Sequence, residues 1–205
     1  MVVSNGKISD RPAFPWGTLL VTLLAGLALA SPALSERLIY DRALIFQGQV
    51  WRVWTGHVVH YGFSHFFWDF VVFLPAGCWL ERLWPCRARW FYLITPVVIS
   101  VALLAFDVAL LRYAGISGLA TGTLVLLAAY QLGRGKPEPT WFWLAVLALV
   151  GIKIGHELIT GAPLVVSDFT GIRSVPLAHI SGAVCAGIFW GVGRLKRLKQ
   201  ESSRT

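Results

Sequence analysis

The sequence predicts an all-α fold, a polytopic membrane protein whose six transmembrane helices form one bundle. Three observations carry that prediction. Hydrophobic residues make up 56% of the 205 residues and charged residues only 14%, against about 25% charged in soluble domains. The mean hydropathy is +0.66. The apolar residues also fall in six runs close to the roughly 20 residues that a helix needs to cross the hydrocarbon core. This composition excludes disorder, a collagen-like chain and a basic nucleic-acid-binding domain, although the formal net charge is +8.

The first run, 16–34, follows Lys7 and Arg11. Further spans come after it, so it reads as a retained helix and not as a cleaved signal. The second run is 63–80. The third, 90–111, is broken by Pro96 and carries Asp107; Arg112 just beyond is a candidate partner for that aspartate. The fourth is 116–132, the fifth 141–159 and the sixth 177–192. The expected organisation is a cytoplasmic tail at 1–12, a six-span core at 13–193 and a basic cytoplasmic tail at 194–205. Only the first connection, 35–62, is long. Trp16, Trp51, Trp54, Trp84, Trp90, Trp141 and Trp143 lie near predicted helix ends, as an interfacial aromatic belt requires. Cys78, Cys86 and Cys185 form no C-x-x-C pair, and Cys78 and Cys185 read as small apolar residues within spans.

Lys and Arg counts set the orientation. One set of connections holds Lys7, Arg11, Arg82, Arg87, Arg89, Arg134, Lys136, Arg194, Lys196, Arg197, Lys199 and Arg204, and the other holds Arg37, Arg42, Arg52, Arg112 and Arg173. The richer set belongs in the cytoplasm, with both termini. The second, fourth and sixth spans then enter from the outer face, so their N-terminal ends share one depth.

Polar groups at that depth are the first functional suspects, because a charge at the bilayer centre costs about 2.5 to 3.5 kcal/mol on insertion scales. The fourth span opens with Gly115-Ile116-Ser117-Gly118. A serine at a helix N-terminus sits beside free N–H groups, which can meet an oxyanion. The same segment also reads as packing, since Gly118 and Gly122 form a G-x-x-x-G. The sixth span opens with Ala178-His179-Ile180-Ser181-Gly182, and close approach of two glycine-lined helices would bring a base to the weakly nucleophilic hydroxyl of Ser117. The second span begins within a stretch holding His57, His60, His65 and Asp69. His65 and Asp69 share a helical face. Three histidines and a carboxylate could bind zinc, but His60 and His65 are poorly spaced for one face, and no metal is assigned. Lys153 and Glu157, four apart in the fifth span, read as an intramembrane ion pair, with His156 facing elsewhere.

In this order the residues resemble the rhomboid family of intramembrane serine proteases. Trp51-Arg52 stands in the first loop; His60, His65 and a polar residue at 69 open the second span; Glu81-Arg82 follows it. Gly115-x-Ser117-Gly118 opens the fourth span and Ala178-His179-x-x-Gly182 the sixth. The match covers the six-span core, and it makes the expected fold a rhomboid-like bundle. The resemblance implies that Ser117 is the nucleophile and His179 its general base, working as a dyad without a buried acid. It implies that His65 and the Ser117 N–H face the oxyanion, with Gly115 and Gly118 in support, and that His60, Trp51, Arg52, Glu81, Arg82, Lys153 and Glu157 are structural polar residues. Two positions depart from the family. Asp69 stands where many members carry Asn, and a carboxylate serves there only if protonated or if it orients His65 or a water. Thr121 stands where a Tyr is common, which changes the packing beneath His179.

Short length, Asp69, the Lys153/Glu157 pair and the expected lack of a soluble domain are similar to the rhombosortase branch. That likeness implies a bacterial inner-membrane enzyme with its active site toward the outer face. Its substrates would be single-span membrane proteins, cut at a C-terminal tail with a Gly-Gly motif, a span and a basic cluster. No cofactor is implied, the lipid bilayer is the other expected partner, nucleic acid is not one, and the oligomeric state is open. The rivals are an inactive rhomboid-like protein that binds membrane clients, and a small transporter suggested by the charges within spans.

Overall fold

In lipid each backbone N–H and C=O must find its partner inside the protein, and a helix satisfies them locally. The computed structural model describes residues 13–133, 139–162 and 174–202, the side chains of 196–201 excepted, and nearly all of it is helical. The tail at 1–12, with Arg134, Lys136, Arg173, Arg204 and the side chains of Lys196, Arg197 and Lys199 from the charge count, lies outside the described residues. In chain order the elements are α1 (Trp16–Ala30), α2 (Pro32–Leu38), β1 (Tyr40–Asp41), α3 (Arg42–Phe46), α4 (Arg52–Thr55), a 3-10 turn (Gly56–Val58), α5 (Phe63–Leu83), α6 (Pro85–Phe106), β2 (Arg112–Tyr113), α7 (Ser117–Leu132), α8 (Thr140–Thr160) and α9 (Pro176–Ser202).

A helix stands at each of the six predicted runs. Four helices, α5, α6, α8 and the Pro176–Leu195 part of α9, are each long and apolar enough to cross a membrane. The pair α1 and α2 makes a fifth crossing only as a bent unit, turning by 119°. The first run therefore ends at Ala30, short of the expected 34. Ser31 caps the new helix by accepting from the Leu34 N–H at 3.3 Å, and Pro32 takes the first helical position, where its missing N–H costs nothing. α7, at 16 residues, is about 24 Å long and stands in the middle of the bundle. α9 continues to Ser202, beyond the expected boundary at 193.

The expected break at Pro96 does not occur, since α6 runs unbroken from Pro85 to Phe106. Proline at 96 leaves the Tyr92 carbonyl one turn earlier without its helical donor. The Trp54 indole N–H supplies the replacement at 3.3 Å. The helix stops before Asp107, so that residue is not carried within a span, and Arg112 pairs with Glu36 at 2.5 Å in place of Asp107.

Glu81 ties three helices together. Pro15 at the start of α1 offers no side-chain cap. The Glu81 carboxylate of α5 instead accepts from Gly17 N at 2.9 Å, Thr18 N at 2.8 Å and Thr18 Oγ at 2.9 Å. Arg89 of α6 donates to it at 2.6 Å. A fully buried carboxylate is thus neutralised by a guanidinium and by the positive end of a helix. Its neighbour Arg82 is exposed. Glu81→Ala should destabilise the protein by about 3 kcal/mol, because Arg89 and two helix N–H groups lose their acceptor; a thermal melt in detergent measures it.

The long first connection is a folded platform. Buried Arg52 donates to the Glu36 and Ile39 carbonyls at 3.0 and 2.6 Å and to Gln49 Oε1 at 2.8 Å. Trp51 donates to the Arg37 carbonyl at 3.2 Å. Burial pushes the His57 imidazole down to about 3, so it is neutral. Ser100 Oγ spends its own proton on the Val53 carbonyl at 2.6 Å and accepts from His57 Nε2 at 3.0 Å. The platform then pairs with the segment ahead of α7 through an antiparallel bridge, Tyr40 opposite Tyr113 and Asp41 opposite Arg112. That bridge fixes where the chain enters α7.

Candidate active site

α7 and α9 touch backbone to backbone. A Cβ on Gly118 would lie 2.9 Å from the Ala178 carbonyl oxygen, and one on Gly122 would lie 2.6 Å from that of Gly182. A Cβ on Gly182 would run into the Gly118 carbonyl. The small residues at these positions are what let the two helices meet. The packing reading of the G-x-S-G segment holds, and that packing brings the first residue of α7 to the first turns of α9.

Ser117 is that first residue. Its Oγ lies 3.0 Å from His179 Nε2. His179 is 4% exposed, too deep for water to take over its hydrogen bonds. The other ring nitrogen, Nδ1, lies 2.6 Å from Glu157 Oε2. A carboxylate only accepts, so Nδ1 carries a proton, and in the neutral ring that leaves Nε2 to accept from the Ser117 hydroxyl. This corrects the expectation of a site without a buried acid. The ion pair read from the sequence exists, with Lys153 Nζ 2.6 Å from Glu157 Oε1, but it uses only one carboxylate oxygen. The second serves His179.

Gly115 prepares the other side. Its φ of +129° is one that residues with a Cβ avoid, and a Cβ there would lie 2.8 Å from His65 Cε1. Glycine thus lets the His65 ring rest on the backbone just before Ser117, while Tyr113 donates to the Gly115 carbonyl at 3.0 Å. Asp69 Oδ2 stands 3.4 Å from His65 Nε2 and 3.3 Å from His60 Nε2, and Tyr61 stacks on the His65 ring. Asp69 is therefore placed against His65, as orientation of that ring requires. At the start of α7 the first helical bond runs from Ala120 N to the Ile116 carbonyl at 2.8 Å, so the N–H groups of Ser117 and Gly118 have no acceptor in a preceding turn. Thr121 is buried one turn below Ser117.

A comparison with known families covers the segment that holds these residues. The Rhomboid domain model matches residues 47–197, which is most of the chain.

The chain belongs to the rhomboid family.

Rhomboid domains are helical bundles of multi-pass membrane proteins, the family of intramembrane serine proteases and of some inactive relatives. No curated protein matches the chain. In this rhomboid the structure brings together Ser117, His179, Glu157 and Lys153 on one side, and His65, His60, Asp69 and Gly115 on the other. It places Trp51, Arg52, Glu81 and Arg82 away from that cluster. Sequence reasoning missed the role of Glu157 and the part of Tyr113. The signal for Glu157 was present: consecutive spans run in opposite directions, so a residue near the C-terminal end of the fifth shares the depth of His179 near the start of the sixth.

Proposed function

We propose that the chain is an intramembrane serine endopeptidase that cuts the C-terminal Gly-Gly-type sorting tail of exported single-span proteins, as a rhombosortase. The observation that carries the proteolytic reading is the chain of contacts Ser117 Oγ to His179 Nε2 at 3.0 Å and His179 Nδ1 to Glu157 Oε2 at 2.6 Å. The rhombosortase reading is supported by Asp69 and by the Lys153/Glu157 pair. On the Lys and Arg distribution the site lies toward the outer face, with both termini cytoplasmic, and the rhombosortase reading makes the membrane a bacterial inner membrane.

In this reading a substrate tail docks from the bilayer and unwinds at the outer face. Ser117 Oγ attacks the scissile carbonyl carbon and passes its proton to His179 Nε2. Glu157 holds the ring in the right tautomer and stabilises the imidazolium that forms. The oxyanion is met by the Ser117 N–H and His65. Collapse expels the amine, which takes the proton from His179. Water then attacks the acyl ester, gives a proton to His179, and Ser117 recovers it on release of the acid. A soluble amine in place of water would give a transpeptidation product.

A fluorophosphonate probe tests the nucleophile without a substrate. Purified wild type is expected to be labelled at Ser117, mapped by peptide mass spectrometry. A protein that takes no label at any pH would be a client-binding relative and not a protease.

A further inference from the structure

An oxyanion needs hydrogens aimed at it from more than one side. In the reaction above they come from the Ser117 N–H and from His65, whose Nε2 also faces Asp69 Oδ2 at 3.4 Å. Tyr113 has no task there, although its phenol oxygen stands next to the reacting groups. The Ser117 side chain and the Gly118 N–H are its neighbours, and the Gly115 carbonyl takes its hydrogen at 3.0 Å. The Gly118 N–H is one of the two that the first turn of α7 leaves without a helical acceptor. A carbonyl attacked by Ser117 Oγ must bring its oxygen close both to that hydroxyl and to those donors. The phenol oxygen borders that position.

The ring itself is fixed. Tyr113 is buried, and Tyr40 pairs opposite it in the bridge that leads into α7. The rings of Tyr40 and His57 meet it edge-on, with centroids 6.3 and 5.2 Å away. The motion left to the side chain is rotation of the hydroxyl about its C–O bond. Burial pushes the phenol above its ordinary value, so the hydrogen is present at neutral pH. The Gly115 carbonyl is a neutral acceptor and an oxyanion a charged one, and a hydrogen bond to a charged acceptor is about twice as strong. The hydrogen therefore gains by turning from one to the other, and the gain arises only as charge develops on the substrate oxygen.

We infer that Tyr113 is a further catalytic residue, whose phenol O–H turns from the Gly115 carbonyl to the oxyanion as the tetrahedral intermediate forms. The inference rests on the serine-protease reading above. The bond from Ser117 Oγ to the carbonyl carbon forms, the carbonyl π pair moves onto oxygen, and the Ser117 proton goes to His179 Nε2. The Tyr113 proton stays on its own oxygen throughout. When the pair returns and the amine leaves with the proton from His179, the phenol hydrogen goes back to Gly115.

The test is the rate of fluorophosphonate labelling at Ser117 in the purified full-length protein at neutral pH, since the phosphoryl oxygen of the probe takes the place of the oxyanion. Tyr113→Phe removes one oxygen and keeps the ring. Its labelling should slow by about 10²-fold, with the cooperative melt retained. A brace on the Gly115 carbonyl could slow labelling as well, so a second variant carries 3-fluorotyrosine in place of Tyr113, a more acidic phenol of nearly the same size. A stronger donor to the oxyanion should speed labelling there, whereas a stronger brace gives no acceleration. Tyr113→Phe labelled at the wild-type rate, or a fluorotyrosine variant no faster than wild type, would overturn the inference. If Tyr113→Phe loses its melt, the fluorotyrosine variant decides alone. Absence of labelling in wild type would instead remove the Ser117 assignment and this role with it, while a labelled wild type with an unaffected Tyr113→Phe removes the role of Tyr113 alone.

Discussion

Replacing Ser117 or His179 by Ala should lower cleavage by about 10⁴-fold or more, while the protein still inserts and melts cooperatively. The two residues act as one unit, so the double variant should be no worse than either single one. The reason is geometric. Ser117 Oγ has His179 Nε2 at 3.0 Å as its proton acceptor, and the hydroxyl is a weak nucleophile without one. His179→Ala also removes a buried ring from the α7–α9 contact, so Ser117→Ala, a smaller change, is the cleaner variant. Rates on a membrane-embedded substrate, with melts of each variant alongside, make the comparison. Activity in purified Ser117→Ala would refute the assignment.

Glu157→Gln should lower kcat by roughly 10² to 10⁴-fold, with KM little changed. The carboxylate can only accept, which fixes the proton on His179 Nδ1. The amide of Gln can donate through its nitrogen, which permits the tautomer with the proton on Nε2, facing Ser117 with nothing to receive its hydrogen. The amide also carries no charge against the imidazolium formed during attack. Packing is almost unaltered, because Gln has the size of Glu. Measurement of kcat and KM separately distinguishes this from lost substrate binding, and an unchanged kcat would make Glu157 no more than the partner of Lys153.

Much of this arrangement was legible in the sequence. Six apolar runs mark the places of α1, α5, α6, α7, α8 and α9, because a membrane leaves the backbone few alternatives. The depth argument paired Ser117 with His179, since both open spans that enter from the same side. Glycines 118, 122 and 182 foretold the helix contact that brings them together. What the sequence concealed depends on tertiary partners. Pro96 breaks a helix unless something satisfies the carbonyl one turn back, and that donor, Trp54, stands 38 residues away from Tyr92. The turn at Ser31 was signalled by Ser-Pro within an apolar run, but hydropathy alone carries through it. Glu157 was legible as a charge that needed neutralising. That its second oxygen reaches His179 follows only when α8 is set beside α9. Asp69 similarly looked misplaced against an oxyanion until His60 and His65 were seen on either side of it.

The central claim is most directly tested with detergent-purified protein and a single-span substrate bearing a Gly-Gly C-terminal tail, with the new terminus read by mass spectrometry. Wild type should release the tail and Ser117→Ala should not, and the mass of the fragment separates hydrolysis from amine transfer. Equal cleavage by both proteins, or an intact substrate and an unlabelled Ser117 in wild type, would contradict the account.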